Sequence, residues 1–169
     1  MNLQPILENE WVHIRPLVKE DFDALFAVAK DPKIWEQHPC KRYKKVTFDT
    51  FFKESISSKA ALTIIDKQTG HLIGSSRYKK FSNFPNVIEI GWTFLSREHW
   101  GGLYNSSVKN LMIGHALEYV DTIVLFADKG NIRSQKAIKK LGGVVVDTAE
   151  HPELPKGPAN AFIFVVKKR

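Results

Sequence analysis

One cysteine, Cys40, stands among 169 residues. A single thiol excludes an internal disulfide framework and fits a reducing compartment. Long apolar runs are missing: no stretch approaches the roughly 18 apolar residues that a membrane span needs. The first 30 residues carry Glu8, Glu10, Glu20, Asp21 and Asp23 and hold no apolar segment of the kind a secretory signal requires. A cytoplasmic protein without a membrane partner is therefore expected. There are no internal repeats or low-complexity linkers, so a single domain over residues 1–169 is expected. The histidines, His13, His38, His71, His99, His115 and His151, share no helix face at ligand spacing, so no metal is expected. Interleaved aromatic and basic residues and a recognition-helix pattern are also lacking. That removes nucleic acid as an expected partner, although the formal net charge of +7 favours anionic ligands in general.

What is present suits an ordinary core: 43% hydrophobic and 25% charged residues allow burial without loss of solvation. VHIRPL (Val12 to Leu17) alternates and predicts a first strand. KEDFDALFAVAKD spaces Phe22, Leu25, Phe26 and Ala29 at helical intervals, and Pro32 stops that helix. Thr47 is a candidate N-cap for FDTFFKESISS, which puts Phe48, Phe51, Phe52 and Ile56 on one side. ALTIID and HLIGSSRYKK flank the turn KQTG as a hairpin, and a loop containing Pro85 leads to the strand VIEIGWTFL. A helix over Ser106 to Val120 would show Val108, Leu111, Met112, His115, Ala116 and Tyr119 on one face. TIVLFAD reads as a buried parallel strand. Asn131 caps IRSQKAIKKL, with Gly142 just past its end. VVVD and AFIFVVKK close the chain as strands. The order β-α-α-β-β-β-α-β-α-β-β contains one strand-helix-strand crossover, right-handed by rule, and ligands bind beyond the carboxyl ends of such strands.

The stretch REHWGGLYNSS lies at that end, between VIEIGWTFL and the following helix. A helix start offers unpaired amide hydrogens and partial positive charge. An anion bound there needs close approach, which Gly101 and Gly102 permit. Asn105 or Ser106 would cap the helix otherwise. A pyrophosphate turn and a tight turn without a ligand both fit these residues.

EIGW (Glu89 to Trp92), WGGLYN (Trp100 to Asn105) and NIRSQKAIKKLGG (Asn131 to Gly143) together resemble the GCN5-related N-acetyltransferases (GNAT), in particular the subgroup of ribosomal-protein N-terminal acetyltransferases (RimJ/RimL-like). Upstream, IRPL, DPKIWEQHP and TGHLIGSSRY are similar to that subgroup too, so the resemblance spans nearly the whole chain. It implies an α/β (α+β) fold: a mixed, mostly antiparallel central sheet with a splayed parallel strand pair and helices on both faces. It also implies acetyl-CoA as co-substrate and transfer of its acetyl group to a primary amine, on a protein N-terminus or a small molecule, by direct attack in a ternary complex. Backbone groups from Trp100 through Gly101, Gly102, Leu103, Tyr104, Asn105 and Ser106 would cradle the pyrophosphate. Phe94 and Leu95 would pair with the pantetheine arm, and Asn131 would reach the cofactor from the next helix. Leu103 stands where the family pattern has a glycine, and Ile138 where many members have a tyrosine. These departures support a second reading, a CoA-binding protein of this fold with little or no turnover.

Amine acetylation needs a base for the ammonium proton, donors for the oxyanion and a proton for the departing sulfur. Glu89, on the strand expected to line the cleft, is the candidate base; its alternative role is a structural pair with Arg77 or Arg97. Ser134 is the candidate to protonate the sulfur, or else only a polar residue in a first helical turn. A backbone N–H near Phe94 would serve the oxyanion. Arg97, Lys136, Lys139 and Lys140 are candidates for the cofactor phosphates. Trp35, His38, Arg77, Tyr78 and Trp92 would build the acceptor pocket. A monomer or homodimer is expected.

Overall fold

In the computed structural model, which describes residues 1–168, the apolar periodicities resolve into eight strands and four helices. They are β1 (Leu7–Glu8), β2 (Val12–Pro16), α1 (Phe22–Ala29), α2 (Lys45–Ser57), β3 (Ala61–Asp66), β4 (Leu72–Phe81), β5 (Phe84–Leu95), α3 (Leu103–Leu117), β6 (Thr122–Asp128), α4 (Ile132–Lys140), β7 (Val144–Val146) and β8 (Ala161–Lys167). All strands join one sheet in the order β1-β2-β3-β4-β5-β6-β8-β7. Every pairing is antiparallel except β5 with β6, which the α3 crossover makes parallel. The sheet is thus the expected mixed, mostly antiparallel one.

Helices cover both faces. On one, Ile14, Ile64, Tyr78, Ile88 and Ile90 meet Met112 and Ala116 of α3 and Ile138 of α4. On the other, Leu25, Trp35, Phe48, Phe51 and Phe52 bring α1 and α2 against Ala61 and Phe94. Cross-packed aromatic rings such as Phe22 with Phe52, centroids 5.0 Å apart, consolidate that second layer.

The short strand β1, which precedes the expected first strand, was not expected, α3 ends at Leu117 rather than Val120, and three further boundaries differ from the sequence expectation. α2 begins at Lys45 behind an uncapped Lys44, not at Thr47, because the packing of Phe48 and Phe51 fixes the helix from within. Pro85 lies inside β5, near the end of the β4–β5 hairpin where the ladder is irregular, so its missing N–H costs little. α3 starts three residues early, at Leu103; neither Asn105 nor Ser106 caps it. Its buried face is Ser107, Val108, Lys109, Met112, Ile113 and Ala116, while Leu111 and His115 are half-buried and Tyr119 is exposed.

Two irregularities shape the centre of the sheet. β5 and β6 pair only through Val87 with Thr122, Ile88 with Ile123 and Glu89 with Val124. Beyond Glu89 each strand keeps its other neighbour, β4 up to Leu95 and β8 up to Asp128, so the two part and a V-shaped gap opens. β5 also carries a bulge: Arg77 pairs with Gly91 and Ser75 with Phe94, and Trp92 takes φ of +54°. The extra residue puts Gly91 and Trp92 on one face in succession and reverses the alternation after them. Thr93 therefore turns toward α3, and Phe94 joins Trp35 and Phe51 on the other face.

Candidate active site

The mouth of the gap is formed by the turn before α3. Gly101 takes φ of +74° and Gly102 is the N-cap, with no side chain bonded to the first-turn amides. A Cβ built at either glycine would meet nothing within 4 Å, so the space in front of these amides is open. Leu103 is already helical and exposed, so the positive φ falls on a glycine and Leu103 does not distort the turn. These are the features a diphosphate requires: several amide donors, the positive end of a helix dipole and room to approach. Across the gap, Asn131 caps α4, its Oδ1 accepting from the Ser134 amide at 3.1 Å. The Asn131 side-chain Nδ2 and the Ser134 hydroxyl have no hydrogen-bond partner among the described residues, and both remain free to meet a ligand, whereas the Asn131 backbone N–H donates to the Asp128 carbonyl.

Other residues of the turn have structural duties. The Trp100 indole N–H donates to the Leu95 carbonyl at 2.9 Å, and the Arg133 guanidinium stacks on its ring at 3.9 Å. Arg133 also donates to the Ile34 carbonyl, tying α4 to the segment before α2. The Tyr104 side chain points back to the β3–β4 hairpin and donates to Asp66. Arg97 pairs with Asp31. Lys136, Lys139 and Lys140 stand exposed on α4.

Glu89 lies where β5 and β6 part. It is 7% exposed, and burial pushes its carboxyl up to about 7, against the pull of Lys79, Arg77 and Lys109. Its closest cation is Lys79, 4.0 Å away on β4, so neither Arg77 nor Arg97 pairs with it. Gly91, next on the same face, leaves room for the carboxyl: a Cβ there would sit 2.8 Å from Glu89 Oε1. A carboxyl with a pKa near neutrality and no tight ion pair suits the transfer of a proton.

Beside Glu89 opens a cleft of about 480 Å³, lined by His38, Arg42, Lys79, Trp92, Phe126 and Lys156 among others. Of the expected acceptor residues, His38 and Trp92 line it, and Arg77 stacks on Trp92 at 3.6 Å. Trp35 stands behind the wall, 1% exposed, its indole N–H given to the Ala29 carbonyl. Tyr78 points the other way. Neighbours on a strand face opposite sides, so with Arg77 on the cleft face Tyr78 turns to α3 and donates to the Met112 carbonyl. His38 accepts the Cys40 amide on Nδ1, which leaves its proton on Nε2. Burial and the Arg42 charge push its pKa down to about 4, so it faces the cleft as a neutral donor.

Three residues of this region escaped the sequence. Arg42 sits in the basic run CKRYKKV, which reads as solvated surface. Arg133 reads as one more cation on a basic helix. Lys109 carried a visible signal: it falls three and four residues before Met112 and Ile113, inside the apolar stripe of α3. Its ammonium donates to Thr93 Oγ1 at 2.6 Å, and Thr93 bonds Ser76 at 2.7 Å. This network holds the bulge.

Burial pushes the Lys109 pKa down to about 7 from an ordinary 10.5, opposed by Glu89. The cost of the buried charge is therefore full below pH 7 and is relieved as pH rises toward 10.5. Wild-type stability is expected to rise across that window relative to Lys109→Met in chemical denaturation. Parallel curves would show that no buried charge is relieved.

The sequence itself matches the family model of the acetyltransferase (GNAT) domain over residues 12–144. The chain belongs to the GNAT acetyltransferase family. Solved structures of similar fold include the GNAT-family acetyltransferase from Bacillus anthracis, 15% identical with a TM-score of 0.76, covering 96% of this chain and 98% of that one. A putative ribosomal-protein-serine acetyltransferase from Vibrio cholerae is 12% identical with a TM-score of 0.79, covering 99% and 100%. Spermidine N-acetyltransferase from Vibrio cholerae, solved with CoA and spermine, is 13% identical with a TM-score of 0.68, covering 94% and 96%. No curated protein matches the sequence. In this GNAT chain no described helix is long and apolar enough to cross a membrane, and no described cluster of His, Cys, Asp and Glu could hold a metal ion.

Proposed function

We propose that this GNAT protein transfers the acetyl group of acetyl-CoA to a primary amine by direct attack in a ternary complex. The observation that carries the reading is one strand gap with an uncapped helix start, Gly102 to Asn105, at its mouth and a buried, loosely paired carboxyl, Glu89, where the strands part. Amides of Gly102, Leu103, Tyr104 and Asn105 would hold the pyrophosphate, and the freed β5 edge near Phe94 would receive the pantetheine arm. Bound acetyl-CoA supplies an activated acyl group as a thioester. Glu89 takes the ammonium proton, directly or through a water, leaving the amine its lone pair. A backbone N–H at the β5 bulge before Phe94 would donate to the charge that develops on the carbonyl oxygen. The Ser134 hydroxyl, free of partners, donates to the sulfur. Ile138 is buried in the core and takes no part.

The likeness to the Vibrio cholerae putative ribosomal-protein-serine acetyltransferase supports a protein N-terminus as one acceptor class, within the RimJ/RimL-like subgroup. The spermidine enzyme supports a small-molecule amine. The reading of a CoA binder without turnover loses one of its grounds, because Leu103 leaves the turn undistorted. Calorimetry with acetyl-CoA, followed by CoA thiol release over a panel of peptides, polyamines, amino acids and aminoglycosides, tests the proposal. Binding with thiol release is expected. Binding without release from any amine favours the second reading, and no binding at millimolar concentration defeats both.

A further inference from the structure

The cleft beside Glu89 has a charge problem that acetyl transfer does not explain. Three of its walls are cations, Arg42, Lys79 and Lys156, and its only carboxyl is Glu89. Arg42 is 8% exposed yet makes no hydrogen bond and no ion pair with any described residue. Its guanidinium lies over the rings of Phe51 at 4.4 Å and Trp35 at 5.2 Å. Arg77, also 8% exposed and without a side-chain hydrogen bond or ion pair among the described residues, is stacked on Trp92 at 3.6 Å and lies close enough to Arg42 to disfavour its charge. Glu54 acts on both from a distance but is exposed and pairs with neither.

A guanidinium is always charged and has donors only in its plane. Aromatic rings satisfy its faces and leave the in-plane N–H groups wanting an acceptor. The side-chain nitrogens of Arg42 and Arg77 are not sealed from solvent, so their N–H groups meet water or a ligand that takes its place. An oxyanion in the cleft can accept two parallel N–H bonds from one guanidinium. A polycationic acceptor would meet three cations in this lining, Arg42, Lys79 and Lys156, against the one carboxyl of Glu89.

We propose that the acceptor amine carries an acidic group, a carboxylate or a phosphate, and that Arg42 docks that group while the amine faces Glu89. This rests on the acetyltransferase reading and narrows its substrate class. It makes Arg42 a substrate-binding residue and assigns the stacked rings of Trp35 and Phe51 the task of presenting it.

Two measurements test it. In thiol-release assays at saturating acetyl-CoA, acceptor pairs differing in one acid group are compared: tyramine with tyrosine for carboxylate, ethanolamine with phosphoethanolamine for phosphate, and spermidine as the polycation. The acid-bearing member of at least one pair is expected to lead in kcat/KM by tenfold or more, and which pair leads identifies the oxyanion. Arg42→Met should bring that ratio close to one, mainly through KM, with Arg42→Lys between. Circular dichroism melts establish that each variant is folded, and Arg42→Lys keeps the charge and most of the stem should Arg42→Met fail. Separately, tyrosine, phosphoethanolamine and inorganic phosphate are titrated into the protein with and without CoA. Binding that weakens tenfold in the Arg42 variants supports the docking role even if no amine releases thiol, in which case only the acetyl-transfer reading falls. Preference for spermidine or for the acid-free amines, equal binding by wild type and Arg42 variants, or no binding of any acid-bearing probe overturns the proposal.

Discussion

Replacing Glu89 by glutamine is expected to lower kcat by about 100-fold or more, the range over which a positioned general base acts. The amide keeps the shape and polarity of the carboxyl but cannot accept a proton. The pH profile carries the sharper signature. The wild-type pKa is raised to about 7, so kcat/KM should fall as pH drops through 7 while the carboxylate is lost. In Glu89→Gln that limb should vanish, leaving only the titration of the amine itself. Stability should move the opposite way. A carboxyl whose folded pKa lies above its ordinary 4.5 contributes stability at low pH that is lost as pH rises from 4.5 to about 7. At pH 8 the variant should therefore be at least as stable as the wild type. A loss of less than tenfold in kcat with the acid limb intact would remove Glu89 as the base.

Gly102→Asp should separate folding from cofactor binding. Gly102 is the N-cap of α3, its φ of −167° suits any residue, and a side chain there enters open space. Aspartate is a favoured N-cap, but glycine is already acceptable, so a gain of only a few tenths of a kcal/mol is expected in the melt. The same carboxylate would stand where the diphosphate must sit. Unit charges about 4 Å apart at an effective dielectric of about 20 interact by roughly 4 kcal/mol, before screening by salt. Acetyl-CoA should therefore bind at least tenfold more weakly by calorimetry, and added salt should reduce the defect. Undiminished affinity in a folded variant would mean that the helix start does not hold the cofactor.

Much of the fold was legible because its signals are local. Period-2 alternation in VHIRPL and the continuous run TIVLFAD gave strands, 3.6-residue spacing of phenylalanines gave α2, and Asn131 and Gly142 bracketed α4 as cap residues do. The parallel pair followed from one strand-helix-strand passage. The helix starts were less legible. At α2 and α3 the buried faces, not caps, set where the helix begins, and at α3 the missing cap is the opening through which an anion would enter.

The candidate site was legible in part. Glu89 and the Gly101–Gly102 turn could be singled out because a carboxylate in an apolar strand and a glycine pair before a helix are unusual in themselves. Tyr78 was grouped with Arg77 although adjacent strand residues face apart, a separation the alternation rule already contains. Arg42 was invisible because nothing local distinguishes a buried arginine from a solvated one. Phe51 on the following helix and Trp35 on the preceding turn stack against it, and both contacts form only in the folded chain.

By itself the sequence determined the order of the elements from β2 onward and the glycine turn at the start of α3, because each depends on residues near one another in the chain; the two-residue β1 carries no pattern long enough to read. The tertiary structure alone decided where β5 leaves β6, on which residue the bulge falls, and hence that Glu89 and Trp92 share a cleft with Arg42 while Thr93 meets Lys109. Those outcomes turn on register: one extra residue in a strand moves every later side chain to the other face, and only pairing with β4 and packing against α3 fix where that residue is inserted.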